Sequence, residues 1–139
     1  MKLFKTLAVA LMLGATFVAC KKDSDSTPAP PPTPPTSSGI EGKYTGQYGF
    51  EDDGLTDPFI INIKAGGVFQ EIGVHSGAPT GQGTWQLNGN KLTANYKMLF
   101  SPFNEYSVSL TYDPATKKLT GTWGFDKSAT DGGPVDVKK

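Results

Sequence analysis

Arginine is absent from this chain of 139 residues, so its 13 basic side chains, all lysine, meet 13 acidic ones and leave no formal net charge. Bidentate recognition of phosphates and base edges relies on Arg, and nucleic acid is therefore excluded from the expected partners. Cysteine and histidine occur once each, at Cys20 and His75. One Cys permits neither an internal disulfide nor a zinc cluster. One His means that a Ser-His-Asp or His-rich metal site would rest on His75 alone, and nothing around it has the form of a nucleophile elbow or an HExxH helix. Charged residues make up only 19%, beside 17 Gly and 11 Pro, a composition that argues against helical bundles and coiled coils. Beyond Val18 no apolar run approaches the ~20 residues a helix needs to span a bilayer.

What is present begins with a basic start, Met1-Lys2-Leu3-Phe4-Lys5, and an apolar run from Leu7 to Val18. This is the shape of a signal peptide, and the run is too short for a permanent membrane helix. It ends in Phe17-Val18-Ala19-Cys20, which resembles the lipobox of bacterial lipoproteins. The resemblance implies that residues 1–19 are removed, that the Cys20 thiol is lipidated and that the new amino terminus is acylated with a fatty acid such as palmitate. The membrane then becomes a partner through an anchor at Cys20. Several acyl chains, at about 0.8 kcal/mol per buried methylene, hold far more firmly than one. The following Lys21-Lys22-Asp23-Ser24-Asp25 resembles export signals of Gram-negative lipoproteins, which implies the outer membrane, with its periplasmic and external faces both open. A solvated start to the linker is the alternative for that charge cluster.

From Cys20 to Gly39 the chain is Pro-, Ser- and Thr-rich and has almost nothing to bury, so it is expected to be a disordered spacer. At about 3.1 Å per residue in polyproline II it would stand a domain up to roughly 60 Å from a lipid surface.

Residues 40–139 form the expected folded domain. Their apolar residues recur with period two: Phe59, Ile61 and Ile63; Leu92, Ala94, Tyr96 and Met98; Tyr106, Val108, Leu110 and Tyr112; Leu119, Gly121, Trp123 and Phe125. With segments near 42–49, 68–74, 83–87 and 134–138 this predicts about eight antiparallel strands in an all-β, up-and-down meander closing into a small barrel, with a β-sandwich as the alternative. Ala65-Gly66-Gly67, Asn88-Gly89-Asn90 and Asp113-Pro114-Ala115-Thr116-Lys117 are tight-turn sequences. They alternate with longer connections near 51–57, 75–80, 99–103 and 126–133. In a meander, alternate connections share an end, so the long loops are expected at the pole opposite the linker. Gly42-Lys43-Tyr44-Thr45-Gly46 and Leu119-Thr120-Gly121-Thr122-Trp123-Gly124, with the serial hairpins, resemble small lipocalin-like or calycin-like barrel lipoproteins. That resemblance implies a fold and a habit of binding small molecules or proteins.

Candidate binding residues follow from this geometry. Trp85, Tyr96, Tyr106 and Trp123 share the parity of the apolar positions, where core packing competes with lining a pocket. Phe100 and Phe103 lie in a Pro-containing loop, to be exposed or folded inward as a plug. His75 is expected on the outer face, because Val68, Ile72 and Val74 set the inward parity of its strand. Asp52, Asp53 and Asp57 offer oxygens for a cation but lack EF-hand spacing, so no metal and no cofactor is expected. The expectation is a non-enzymatic envelope lipoprotein that binds a small apolar or glycan ligand at the long-loop end of its barrel. A protein-interaction or inhibitor lipoprotein using the same loops is the alternative.

Overall fold

A computed structural model describes residues 39–51 and 53–139. The expected signal peptide, Cys20, the expected linker up to residue 38 and Asp52 lie outside the described residues. The domain is all-β: β1 (Gly42–Tyr48), β2 (Asp57–Lys64), β3 (Val68–Ile72), β4 (Pro79–Asn88), β5 (Lys91–Met98), β6 (Glu105–Asp113), β7 (Lys118–Phe125) and β8 (Gly133–Lys138). Each strand pairs antiparallel with the next, and β1 pairs with β8, so the sheet is a closed up-and-down barrel and the sandwich alternative is set aside.

The period-two pattern is the cause. One face of each strand is apolar, and only closure gives eight such faces a common interior and leaves no open edge. Tyr44, Ile61, Ile63, Phe69, Trp85, Leu92, Leu110 and Val137 meet there. Curvature needs small residues where backbones converge. At Gly83 a Cβ would lie 1.9 Å from the Asn95 carbonyl oxygen and 2.5 Å from Tyr96 Cα, so only glycine lets β4 press against β5.

The tight turns at 65–67, 89–90 and 114–117 lie at one end and the longer connections at the other. The tight-turn end is sealed. Ile40 is fully buried, and the Tyr44 hydroxyl donates to its carbonyl at 2.6 Å. The Tyr112 hydroxyl donates to the Gly39 carbonyl at 3.3 Å, and Trp85 Nε1–H to the Lys64 carbonyl at 2.9 Å. Burial and the neighbouring Tyr112 push the Tyr44 phenol well above its ordinary value. Because residue 39 is held here, the chain enters the barrel at the sealed end.

Strand β3 departs from the expected parity. Phe69 and Glu71 point inward and Gln70 outward, where its amide donates to Gln82. Of Val68, Ile72 and Val74, which the sequence pattern read as the inward set, Ile72 is buried but Val74 is exposed and Val68 only half-buried, and a bulge shifts the register between Glu71 and Ile72. Glu71 pairs with Gly81 and Ile72 with Pro79, which leaves Thr80 as the extra residue on β4. His75 has no strand parity because β3 ends at Ile72: it sits beyond that strand, exposed in the 73–78 connection.

Candidate functional site

The long-loop end opens into a cavity of about 370 Å³. Its walls come from seven of the eight strands: Tyr48 from β1, Phe59 from β2, Glu71 and Ile72 from β3, Thr80 from β4, Tyr96 and Met98 from β5, Tyr106 from β6, and Trp123 and Phe125 from β7. The rings touch in series. Centroid separations are 5.1 Å for Phe69–Tyr96, 5.7 Å for Tyr96–Tyr106, 5.8 Å for Tyr106–Trp123, 5.5 Å for Trp123–Tyr48 and 5.5 Å for Tyr48–Phe59. Tilted and edge-on contacts at these distances suit the ring quadrupoles and hold the wall in shape.

Trp123 fixes the mouth. Its Nε1–H donates to the buried Gly49 carbonyl at 2.8 Å, tying β7 to the loop after β1, and Phe50 packs edge-on against it with centroids 5.0 Å apart. Residues 126–132 are not among those lining the cavity. Thr122 and the buried Ser107, both on the outer face, donate to the carbonyls of Ala129 and Asp126, and Asp131 Oδ1 accepts the Phe125 N–H at 2.8 Å. Residues 126–131 thus follow the outer wall, whereas Gly132 packs on the Trp123 indole and its carbonyl accepts the Glu51 N–H at 2.7 Å; the 49–56, 73–78 and 99–104 connections form the rest of the rim.

Inside, the polar feature is Glu71. Thr80, turned inward by the bulge, donates its hydroxyl to Glu71 Oε1 at 3.3 Å, and the neighbouring Tyr96 hydroxyl also favours the charged carboxylate. Room for this exists because β4 carries Gly81 opposite Glu71: a Cβ there would meet Tyr96 Cδ2 at 2.8 Å and Glu71 Cβ at 3.3 Å. Burial pushes the Glu71 carboxyl above its ordinary value, and the two hydroxyl donors partly offset this. Burial and the Glu71 charge push the Tyr96 phenol far upward. Tyr48 is raised by burial and by Asp57 and Glu71. Among the described residues no lysine or histidine lies within ion-pair distance of Glu71, and none lines the cavity.

Charge divides between the two ends. The open end carries Glu51, Asp53, Asp57, Glu71, Glu105, Asp126 and Asp131 against Lys97 and Lys127, whereas the sealed end carries Lys43, Lys64, Lys91, Lys117, Lys118, Lys138 and Lys139 against Glu41, Asp113 and Asp136. Lys97 is already paired with Glu105 at 3.5 Å, and Lys118 with Asp136 at 2.7 Å.

Of the residues singled out from sequence, Tyr96, Tyr106 and Trp123 come together in the cavity. Trp85 does not: it is 2% exposed, at the sealed end, because β4 runs from the mouth to the tight turn and Trp85 lies past Gly83 toward that turn. Phe100 and Phe103 are 59% and 54% exposed on the rim and plug nothing. His75 is exposed and outside the cavity lining. Asp57 accepts a hydrogen bond from Thr56 at 2.9 Å, and among the described residues no group of three or more His, Cys, Asp or Glu is placed to hold a metal ion. Sequence reasoning missed Tyr48, Phe59, Glu71 and Thr80. Tyr48, Phe59 and, in the phase of Phe69, Glu71 were within reach of the alternation; Thr80 required the bulge. No family model matches the chain, and no curated protein and no solved structure matches it. Function must therefore be argued from the site.

Proposed function

We propose that the protein is a membrane-tethered envelope lipoprotein whose barrel is a non-catalytic binding module, taking one small ligand of apolar or glycan character into its open end. The observation that carries this reading is the asymmetry of the barrel: one end is sealed by Ile40, Tyr44 and Tyr112, and the other opens into an aromatic cavity of about 370 Å³. An eight-stranded barrel has room for its side chains or for one small ligand, and most ligand sites are concave, largely apolar and marked by a few polar groups. In this reading a lipid at Cys20 and the linker hold the sealed end toward an outer membrane, and the mouth faces away from it. A titration of the lipidated chain with the neutral dye Nile red tests the cavity. One saturable site per chain is expected, lost when Met98→Trp fills the space in a variant that keeps its far-UV spectrum; the absence of saturable binding would refute it. The mass of the mature amino terminus, and release of Cys20→Ala from membranes, test the anchor.

A second reading, a protein-interaction or inhibitor lipoprotein, is favoured by one observation. Leu55, Val74, Leu99, Phe100 and Phe103 are all exposed, and all lie on the rim of this same end. Clustered exposed apolar side chains mark contact surfaces more often than chance does.

A further inference from the structure

Resting on the reading of the cavity as a ligand site, the geometry points to an organic cation as its occupant, a quaternary or alkylated ammonium with an apolar body. Among the described residues, the cavity lining brings together one carboxylate, Glu71, and the rings of Tyr48, Tyr96, Tyr106 and Trp123. Aromatic faces carry negative quadrupole potential and attract cations, most strongly where water is excluded, and a carboxylate beside them adds a full charge of the same sign. Among the described residues nothing of the opposite sign lines the cavity, and the surrounding end of the barrel is acidic. A mouth of one sign with low-dielectric walls concentrates ligands of the other sign.

Other ligand classes fit less well. A hard metal ion needs about six oxygens, and among the described residues no cluster of carboxylates supplies them. An anion would meet Glu71 at close range in a poorly screened space. A neutral apolar ligand would cover the carboxylate and remove what water remains to it, leaving the hydroxyls of Thr80 and Tyr96 as its compensation. An ammonium whose charge is spread over methyl groups loses little on leaving water and gains both the rings and Glu71.

The test uses the full lipidated chain in detergent, with choline and its uncharged isostere 3,3-dimethylbutan-1-ol, followed by the fluorescence of Trp123 and by calorimetry. Choline is expected to bind at least tenfold more tightly than the alcohol. Glu71→Gln is expected to weaken choline about 10–100-fold while leaving the alcohol nearly unchanged, with melting temperature confirming that the variant folds. Equal or tighter binding of the alcohol, or of an uncharged disaccharide, would overturn the cation assignment and leave the cavity standing as a ligand site. Failure of both choline and the alcohol, together with no saturable Nile red binding, would overturn the site itself.

Discussion

Replacing Trp123 by Phe separates a structural clamp from a mere stacking surface. The indole N–H donates to the Gly49 carbonyl in a buried setting, and a phenyl ring leaves that acceptor without its partner, at a cost of about 1–3 kcal/mol. The smaller ring also withdraws from Tyr48, Phe50, Tyr106 and Phe125, all with centroids within 6 Å of the indole, and leaves a small void for about 1 kcal/mol more. The sum, about 2–4 kcal/mol, corresponds to a melting temperature lower by at least about 8 °C in a domain of roughly 100 residues. Thermal unfolding followed by circular dichroism measures it. Because the lost bond ties the 49–56 connection to β7, amides of Gly49 and Glu51 should also exchange faster with deuterium. A fall of less than about 3 °C, with exchange unchanged in that loop, would refute the clamp.

Gly83→Ala places a Cβ against backbone atoms that cannot swing away, and a loss of about 1–3 kcal/mol or more is expected in urea unfolding; an unchanged midpoint would contradict the packing of β4 on β5. Glu71→Gln removes a carboxyl whose folded-state value is raised by burial, facing Thr80 from β4, Tyr96 from β5 and Tyr48 from β1. A raised acid favours the fold below its unfolded value and loses that contribution as pH rises through the folded value. The variant should therefore melt higher than the parent at pH 7, and the gap should close below about pH 4; a gap that widens in acid would reverse the sign. The double change Phe100→Ser and Phe103→Ser removes exposed rim side chains, so stability should move by no more than about 0.5 kcal/mol and Nile red affinity should hold. A large loss of stability there would place the two rings inside the fold.

Most of the barrel was legible in the chain because period-two alternation and turn chemistry are local signals. Leu92, Ala94 and Tyr96 on β5, and Val108, Leu110 and Tyr112 on β6, are buried in the phase their sequence announces. Alternation of short and long connections then placed the loops at one end without any knowledge of side-chain contacts. The cavity was only partly legible, since parity tells inside from outside and not which end a residue serves. Trp85 and Trp123 share the inward parity, yet strands run in opposite directions along the barrel, and one indole serves the seal while the other serves the mouth. Glu71 was hidden for a different reason: three apolar neighbours outvoted Phe69 in setting the phase of β3, and the bulge that reconciles them depends on pairing with β4. The Gly81-Gln82-Gly83 sequence opposite Phe69 and Glu71 was the available sign that something large occupies the interior there.

The two tryptophans provide the most direct measurement of the central claim, because each indole N–H reports one end of the barrel. In a ¹H–¹⁵N spectrum of the chain titrated with choline or with 3,3-dimethylbutan-1-ol, the Trp123 indole resonance and the amides of Gly73 and Gly81 should move together toward saturation. The Trp85 indole and the amides of residues 89–90 should stay in place. Movement confined to Trp85 and the tight turns, or a spectrum indifferent to both compounds, would contradict the account.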